Sequence, residues 1–266
     1  KDDKIVAVGY SISSNTNNEN LTLVRFTKNG KLDESFGNGG LIVTEISNQK
    51  DIGESVAIQP DGKIISVGTT HHDPNFDIIL VRYDEYGQLD PYFGLGGIVI
   101  TDINSGLDIG KSLAIQNDGK LIVAGFTYSE DNFCMTLLRY DSNGKLDSTF
   151  AKSGIAITNI NSRIGKLDLA LQNDGKIILI GPSKVDNTHH FTVVRFNNNG
   201  SLDNSFGNNG ITKTIIGDFS EAESVVVDSY GNIVVAGTTG LENQAFVVAM
   251  YNQTGILDPG FGLNGI

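Results

Sequence analysis

Five times along the chain one phrase returns: Leu32-Asp33-Glu34-Ser35-Phe36-Gly37, Leu89-Asp90-Pro91-Tyr92-Phe93-Gly94, Leu146-Asp147-Ser148-Thr149-Phe150-Ala151, Leu202-Asp203-Asn204-Ser205-Phe206-Gly207 and Leu257-Asp258-Pro259-Gly260-Phe261-Gly262. Its phenylalanines stand 57, 57, 56 and 55 residues apart. A fixed period of that size marks one supersecondary unit repeated along the chain. It outweighs dividing length by domain size, because units this short and this alike share a structure more readily than they build separate cores.

The second unit shows what is repeated. Ser55-Val56-Ala57-Ile58-Gln59 alternates like a short strand, and Pro60-Asp61-Gly62-Lys63 is a hairpin signal. Ile64 to Gly68 is nearly continuous in apolar residues, as in a strand covered on both faces. A polar loop follows, then a third strand from Phe76 to Tyr83, a turn at Tyr86-Gly87, the phrase, and a fourth strand at Ile98 to Thr101. No stretch carries the i, i+3, i+4 spacing of a helix. Four short antiparallel strands per unit predict an all-β chain of the β-propeller type, its units falling at residues 1–53, 54–110, 111–166, 167–222 and 223–266. A parallel β-helix usually has a shorter coil, and a sandwich gives no reason for a sequence period. The chain opens at Lys4-Ile5-Val6-Ala7-Val8-Gly9, a second strand, and closes at Gly265-Ile266, where a fourth begins. The first and last blades are therefore expected to be incomplete, with the natural protein continuing on both sides.

Asp-Gly-Lys-Ile, then Leu/Val-x-Arg-Tyr/Phe, then Asn-Gly-x-Leu-Asp-x-x-Phe-Gly-x-x-Gly resembles the bacterial delta-sixty repeat over essentially the whole chain. The resemblance implies tandem propeller-like units in a large, often secreted or surface-linked protein, and implies no catalytic residues. The chain departs from the pattern at Ala151-Lys152-Ser153, at Ser229-Tyr230-Gly231-Asn232, and at Met250, which replaces the arginine found at Arg25, Arg82, Arg139 and Arg195.

A catalytic group is needed once, whereas a structural device recurs. The phrases therefore read as structure: Leu and Phe wedge between sheets, Asp caps the turn, and Gly37, Gly94, Gly207 and Gly262 hold positive φ. The strand arginines are placed to pair with the following Asp. Calcium loops built on Asn29, Asp33, Asn143, Asp147, Asn199 and Asp203 are the rival reading, but no unit carries the five-oxygen loop they require.

Function is sought in what does not repeat. Strand order puts the Asp-Gly turns and the phrases on one face and the diversified loops on the other. That second face collects His71, His72, Asp73, Tyr128, Glu130, Asp131, His189, His190, Asp218 and Phe219 as candidate ligand-binding residues, with Arg163 and Glu221 nearby. The two His-His pairs read as solvated loop residues; a transition metal needs three or four converging ligands. Asp51, Asp108, Glu221 and Glu223 lie where a propeller enzyme places carboxylates, yet no nucleophile elbow, zinc helix or phosphate loop is present. The net charge of −12 with dispersed Lys and Arg argues against nucleic acid. No apolar run reaches membrane-spanning length. Cys134 is alone and reads as a buried apolar residue. The expectation is a non-enzymatic binding or scaffold module of an extracellular or cell-surface protein, without cofactor or metal, holding a protein or glycan partner through the variable face. A carbohydrate hydrolase or lyase with carboxylates at a channel mouth is the alternative.

Overall fold

The computed structural model describes residues 3–72, 74–129, 131–185, 188–242 and 244–266. Among them every regular element is a strand, and pairing within the sheets is antiparallel. Contacts divide the chain into two compact units. One runs to Thr127 and includes Tyr140–Lys145; the other comprises Tyr128–Arg139 and Leu146–Ile266.

The first unit holds a three-stranded sheet of β1 (Ile5–Ile12), β2 (Glu19–Phe26) and β3 (Leu41–Thr44). Its second sheet has four strands, β4 (Asp51–Ile58), β5 (Ile64–His72), β6 (Asn75–Tyr83) and β7 (Ile98–Thr101). A third sheet, of β8 (Asp108–Ile115), β9 (Leu121–Ser129), β10 (Asn132–Tyr140) and β11 (Ile155–Ile157), is divided between the units. The second unit also holds a four-stranded sheet of β12 (Asp168–Leu171), β13 (Ile177–Val185), β14 (Thr188–Phe196) and β15 (Ile211–Thr214), and a three-stranded one of β16 (Ser220–Val227), β17 (Ile233–Thr239) and β18 (Ala245–Tyr251). The first and last sheets in chain order have three strands each.

In each unit the leading strand of one sheet lies on the sheet before it. β4 packs on β1 and β2, β8 on β4, β5 and β6, and β16 on β12, β13 and β14. A short sheet buries little by itself, so stacking supplies the core. Leu21, Leu23, Phe36, Ile64, Ile79 and Val81 form it in the first unit; Ile178, Ile180, Phe191, Phe206, Val225 and Val235 form it in the second.

The phrase is a latch between consecutive sheets. Phe36, Phe93, Phe150 and Phe206 are fully buried. Phe93 seats where Gly144 leaves no Cβ, and Gly94 N–H donates to Asn143 O at 3.0 Å. Arg82 Nε binds Asp90 at 2.9 Å, its guanidinium lies 4.5 Å from the Phe93 ring centre, and Nη1 donates to Ser142 O at 2.5 Å. Arg25, Arg139 and Arg195 repeat the arrangement on Asp33, Asp147 and Asp203 at 2.7, 2.9 and 2.8 Å. The aspartates also cap their turns, as with Asp90 Oδ1 accepting from Tyr92 N–H at 3.0 Å. Those carboxylates are therefore engaged by arginine and backbone rather than arranged as a calcium loop. The leucines differ from expectation: Leu32 and Leu89 are 50% and 38% exposed, because they bridge back to Phe26 and Tyr83 at the rim instead of wedging inward. Gly37, Gly94, Gly207 and Gly262 hold φ of +54°, +52°, +50° and +51°, and Ala151 takes the same conformation at +41°.

Candidate functional site

The Asp-Gly turns and the phrases share one face, tied by Lys63 to Asp90 at 2.9 Å and by Lys176 to Asp203 at 3.4 Å. The hairpins joining β5 to β6, β9 to β10 and β13 to β14 therefore lie at the opposite ends of their sheets. There the structure corrects the expectation of long polar loops. The two His-His pairs are strand residues: His71 and His72 pair with Phe76 and Asn75, and His189 and His190 with Lys184 and Ser183. Polar residues extend these ladders past the apolar core, so hydrophobicity alone places the strand ends too early.

Being in strands, adjacent histidines point to opposite faces. His190 is buried, 5% exposed, with Thr188 Oγ1 2.7 Å from its Nε2, and is unavailable as a surface anchor. His189 stays partly exposed, its side chain at 18%, and meets three other side chains. Arg163 Nε donates to His189 Nδ1 at 3.2 Å, and Arg163 Nη2 pairs with Glu221 Oε1. The rings of His189 and Phe219 lie 4.9 Å apart, and Arg163 sits 5.8 Å from the centre of the Phe219 ring. Burial, then the charges of Arg163, Lys184 and His190, hold His189 below the ordinary histidine pKa. It is thus neutral at pH 7, with the lone pair on Nδ1 that the Arg163 bond requires.

This group continues into a strip along the second unit. Arg163 follows Ser162, whose N–H donates to Phe133 O at 2.9 Å, and Phe133 packs edge-on to Tyr128 with ring centres 5.1 Å apart. Tyr128 is 42% exposed; Asp131 and Asp218 are also exposed. The strip joins cation, carboxylate, neutral imidazole and aromatic faces in one surface. Phe133 carried no sequence signal, since a Phe near the start of a core strand looks like core.

Asp73 and Glu130 lie outside the described residues, as does the side chain of His72. His71 lies in the first unit, half-buried, edge-on to Phe76 at 4.8 Å. Asp51 is fully buried and accepts from Ile46 N–H, Ser47 N–H and Thr70 Oγ1 at 2.7, 2.9 and 2.6 Å, a structural role. Glu223 accepts from Thr238 Oγ1 at 3.2 Å on an exposed edge. Asp108 is fully buried, and burial pushes its pKa up to about 6. The Thr127 hydroxyl and the Ile103 N–H work against that rise, and the charges of Asp102 and Asp77 add to it.

Shape is not confined to the variable face. A cavity of ≈ 640 Å³ opens beside the Pro60-Asp61-Gly62 turn in the first unit, lined by Lys4, Arg25, Ile58 and Glu85. One of ≈ 400 Å³ lies between the turns at Asp174 and Tyr230 in the second. Neighbouring turns splay apart there, which repetition of their chemistry does not reveal.

Residues 1–36, 59–93, 116–150 and 172–206, more than half the chain, match the model of a family described as a domain of unknown function (DUF5122) beta-propeller. All four segments end on the phenylalanine of the phrase. Among solved structures the chain is similar to the β-propeller domain of the Trilobed protease from Pyrococcus furiosus, at 15% identity and a TM-score of 0.49, covering 94% of this chain and 65% of that one. It is also similar to a gluconolactonase from Xanthomonas campestris (10% identity, TM-score 0.45, 94% and 73% covered). An exo-β-1,3-galactanase from Clostridium thermocellum matches at 12% identity and a TM-score of 0.47, with 94% and 57% covered. No curated protein matches the chain.

Proposed function

Since the chain belongs to the DUF5122 beta-propeller family, we infer that it is a non-enzymatic binding module, a run of delta-sixty-type blades that holds a protein or glycan partner on the strip from Tyr128 to Phe219. Its setting in this reading is a secreted or surface-attached bacterial protein. The observation that carries it is the division of labour between faces. On one, the same Arg, Asp and Phe atoms are consumed in four successive latches; on the other, Arg163, His189, Phe219 and Glu221 converge once, joined through Ser162 and Phe133 to the half-exposed Tyr128. Aromatic and arginine side chains gathered at one spot are what binding hot spots consist of. The carbohydrate hydrolase or lyase alternative finds support in the raised pKa of Asp108 beside other carboxylates. It is weakened by the burial of Asp108 and Asp77, 0% and 3% exposed, which leaves a sugar no approach to either.

The test is a glycan array and an affinity capture with the chain, alongside a Tyr128→Ala/Arg163→Ala/Phe219→Ala variant whose folding is checked by its melt. Loss of a captured ligand in a variant that still melts cooperatively supports the reading. A ligand retained by the variant, or mapped to the Asp-Gly face, overturns the assignment of the strip.

A further inference from the structure

The first unit holds a second polar convergence, distinct from the strip. Asp77 on β6, Asp102 just past β7 and Asp108 at the start of β8 each bring a carboxylate oxygen to within 4.8 Å of the others. Asp77 and Asp108 are buried and Asp102 is exposed. Like charges this close repel, yet the backbone holds them together: Ile103 N–H grips Asp108 Oδ2 at 2.6 Å and Ser105 N–H grips Asp102 Oδ1 at 2.7 Å.

A separate observation marks this place as built for a ligand. Thr127, 1% exposed, is paired in register with Asp108 across β8 and β9; its hydroxyl is near enough to favour the Asp108 carboxylate but makes no hydrogen bond of ordinary geometry. The Oδ1 atom of the fully buried Asp108 also has no hydrogen-bond partner. Buried polar atoms are nearly always satisfied, so a hydroxyl and a carboxylate oxygen left open side by side call for an explanation.

The repeat supplies an internal control. One period earlier the same positions carry Asn20, Glu45 and Asp51. There Thr70 Oγ1 does bond Asp51, at 2.6 Å, and the site closes on itself. One period later they carry Cys134, Asn159 and Gly165. Among the described residues, three acidic or other metal-ligating groups converge only at Asp77, Asp102 and Asp108.

We propose that Asp77, Asp102 and Asp108 bind a calcium ion, with Thr127 Oγ1 beside it. An all-oxygen, anionic donor set selects a hard cation. Calcium–oxygen distances of about 2.3–2.6 Å allow two ligand oxygens to stand up to roughly 4.6–5.2 Å apart, whereas magnesium at about 2.0–2.1 Å limits them to roughly 4.2 Å. The three oxygens lie within 4.8 Å of one another, inside the calcium range, and their flexible, partly solvated setting suits calcium better than the strict octahedron of magnesium. The exposed Asp102 leaves a path for entry and for water ligands. Once bound, the ion ties the segment after β7 to β6 and β8 and removes the repulsion among the three carboxylates.

The experiment is calorimetry of the chelator-treated chain with CaCl2 and separately with MgCl2, together with thermal melts in calcium and in EDTA. One calcium per chain is expected, with a higher melting temperature in calcium and weaker binding of magnesium. Asp77→Asn, which installs the residue of the preceding repeat, and Asp102→Asn, at an exposed position, should each weaken calcium binding about tenfold or more. Neither should lower the melt in EDTA, since each relieves repulsion. Terbium, sensitised by tyrosines and displaced by calcium, gives a second readout should either variant fold poorly. Absence of binding or of a calcium-dependent melt at millimolar calcium would overturn the proposal, as would undiminished binding in Asp102→Asn or tighter binding of magnesium.

Discussion

Gly94→Ala tests the latch at its most constrained atom. Gly94 holds φ of +52°, and a Cβ added there runs into the carbonyl oxygen of Ile98 and into Val99 Cγ2. The left-handed conformation costs an alanine about 1–2 kcal/mol. Relieving the collision means opening the bond from Leu95 N–H to Ile98 O, now 2.8 Å, a loss of about 1 kcal/mol. Lower entropy of the unfolded chain offsets roughly 0.5–1 kcal/mol. The net loss is about 1–2.5 kcal/mol. The third repeat contains the same substitution, at Ala151, and shows the accommodation: the bond from Lys152 N–H to Ile155 O stretches to 3.2 Å, and β11 has three residues where β7 has four. Because that repeat has already opened, Ala151→Gly gains only about 0–1 kcal/mol, relief of φ strain set against glycine's entropy. Urea titrations followed by circular dichroism and tyrosine fluorescence measure both. A Gly94→Ala variant as stable as the parent, or an Ala151→Gly variant clearly less stable, would refute the reasoning.

Phe93→Ala empties a fully buried seat and is expected to cost about 3–5 kcal/mol, against under about 1.5 kcal/mol for Leu89→Ala at the half-exposed rim; equal losses in thermal melts would undo the assignment of Phe alone to the core. For Asp203, burial raises the pKa, but the hydrogen bonds from Ser205 and the charges of Arg195 and Lys176 outweigh it and bring it to about 2. A folded pKa below the unfolded carboxylate value of about 3.9 means stabilisation that is present above pH ~4 and lost as pH falls through 2. Melts from pH 5 to 2 should therefore fall less steeply for Asp203→Asn than for the parent, from a lower starting point; parallel curves would show that Asp203 is not titrating in that window.

What was legible in the sequence is what repeats. Alternation at Ser55 to Gln59, the Asp-Gly turns and the arginine eight residues before four of the five phrase aspartates recur, and the structure places them as strand, turn and ion pair. What escaped is set by single side chains at strand ends. Nothing in composition separates a His-His loop from a His-His strand end, and only backbone pairing buries His190 while leaving His189 out. The carboxylate cluster joins residues from β6, β8 and the segment after β7, so no local motif announces it. One clue was available: the position five residues before each strand arginine reads Asn20, Asp77, Cys134 and His190, a changing polar or ligand-type residue inside an apolar strand, and all four are buried.

The strip also arises where the repeat is most altered. Thr44, Thr101 and Thr214 bond the hydroxyls of Tyr83, Tyr140 and Tyr251 at 2.6, 2.7 and 2.7 Å. For Thr158 of the third repeat the matching position in the fourth is Phe196, which has no hydroxyl, and Thr158 turns to donate to Met135 O at 2.9 Å. The leading strand that follows, β12, has four residues where β4, β8 and β16 have eight. The segment freed before it carries Ser162, pinned to Phe133 and Pro182, and Arg163, which reaches His189 and Glu221. A full-length β12 would begin at Ile164, directly after Arg163, and hold Ile164 to Lys166 in a ladder whose inward positions face the preceding sheet. Shortening the strand gives up ladder bonds and places a cation between an imidazole and a carboxylate at the surface. Irregularity in one unit of a repeat whose other units keep their latches is thus where a single specific site can form without loss of the fold.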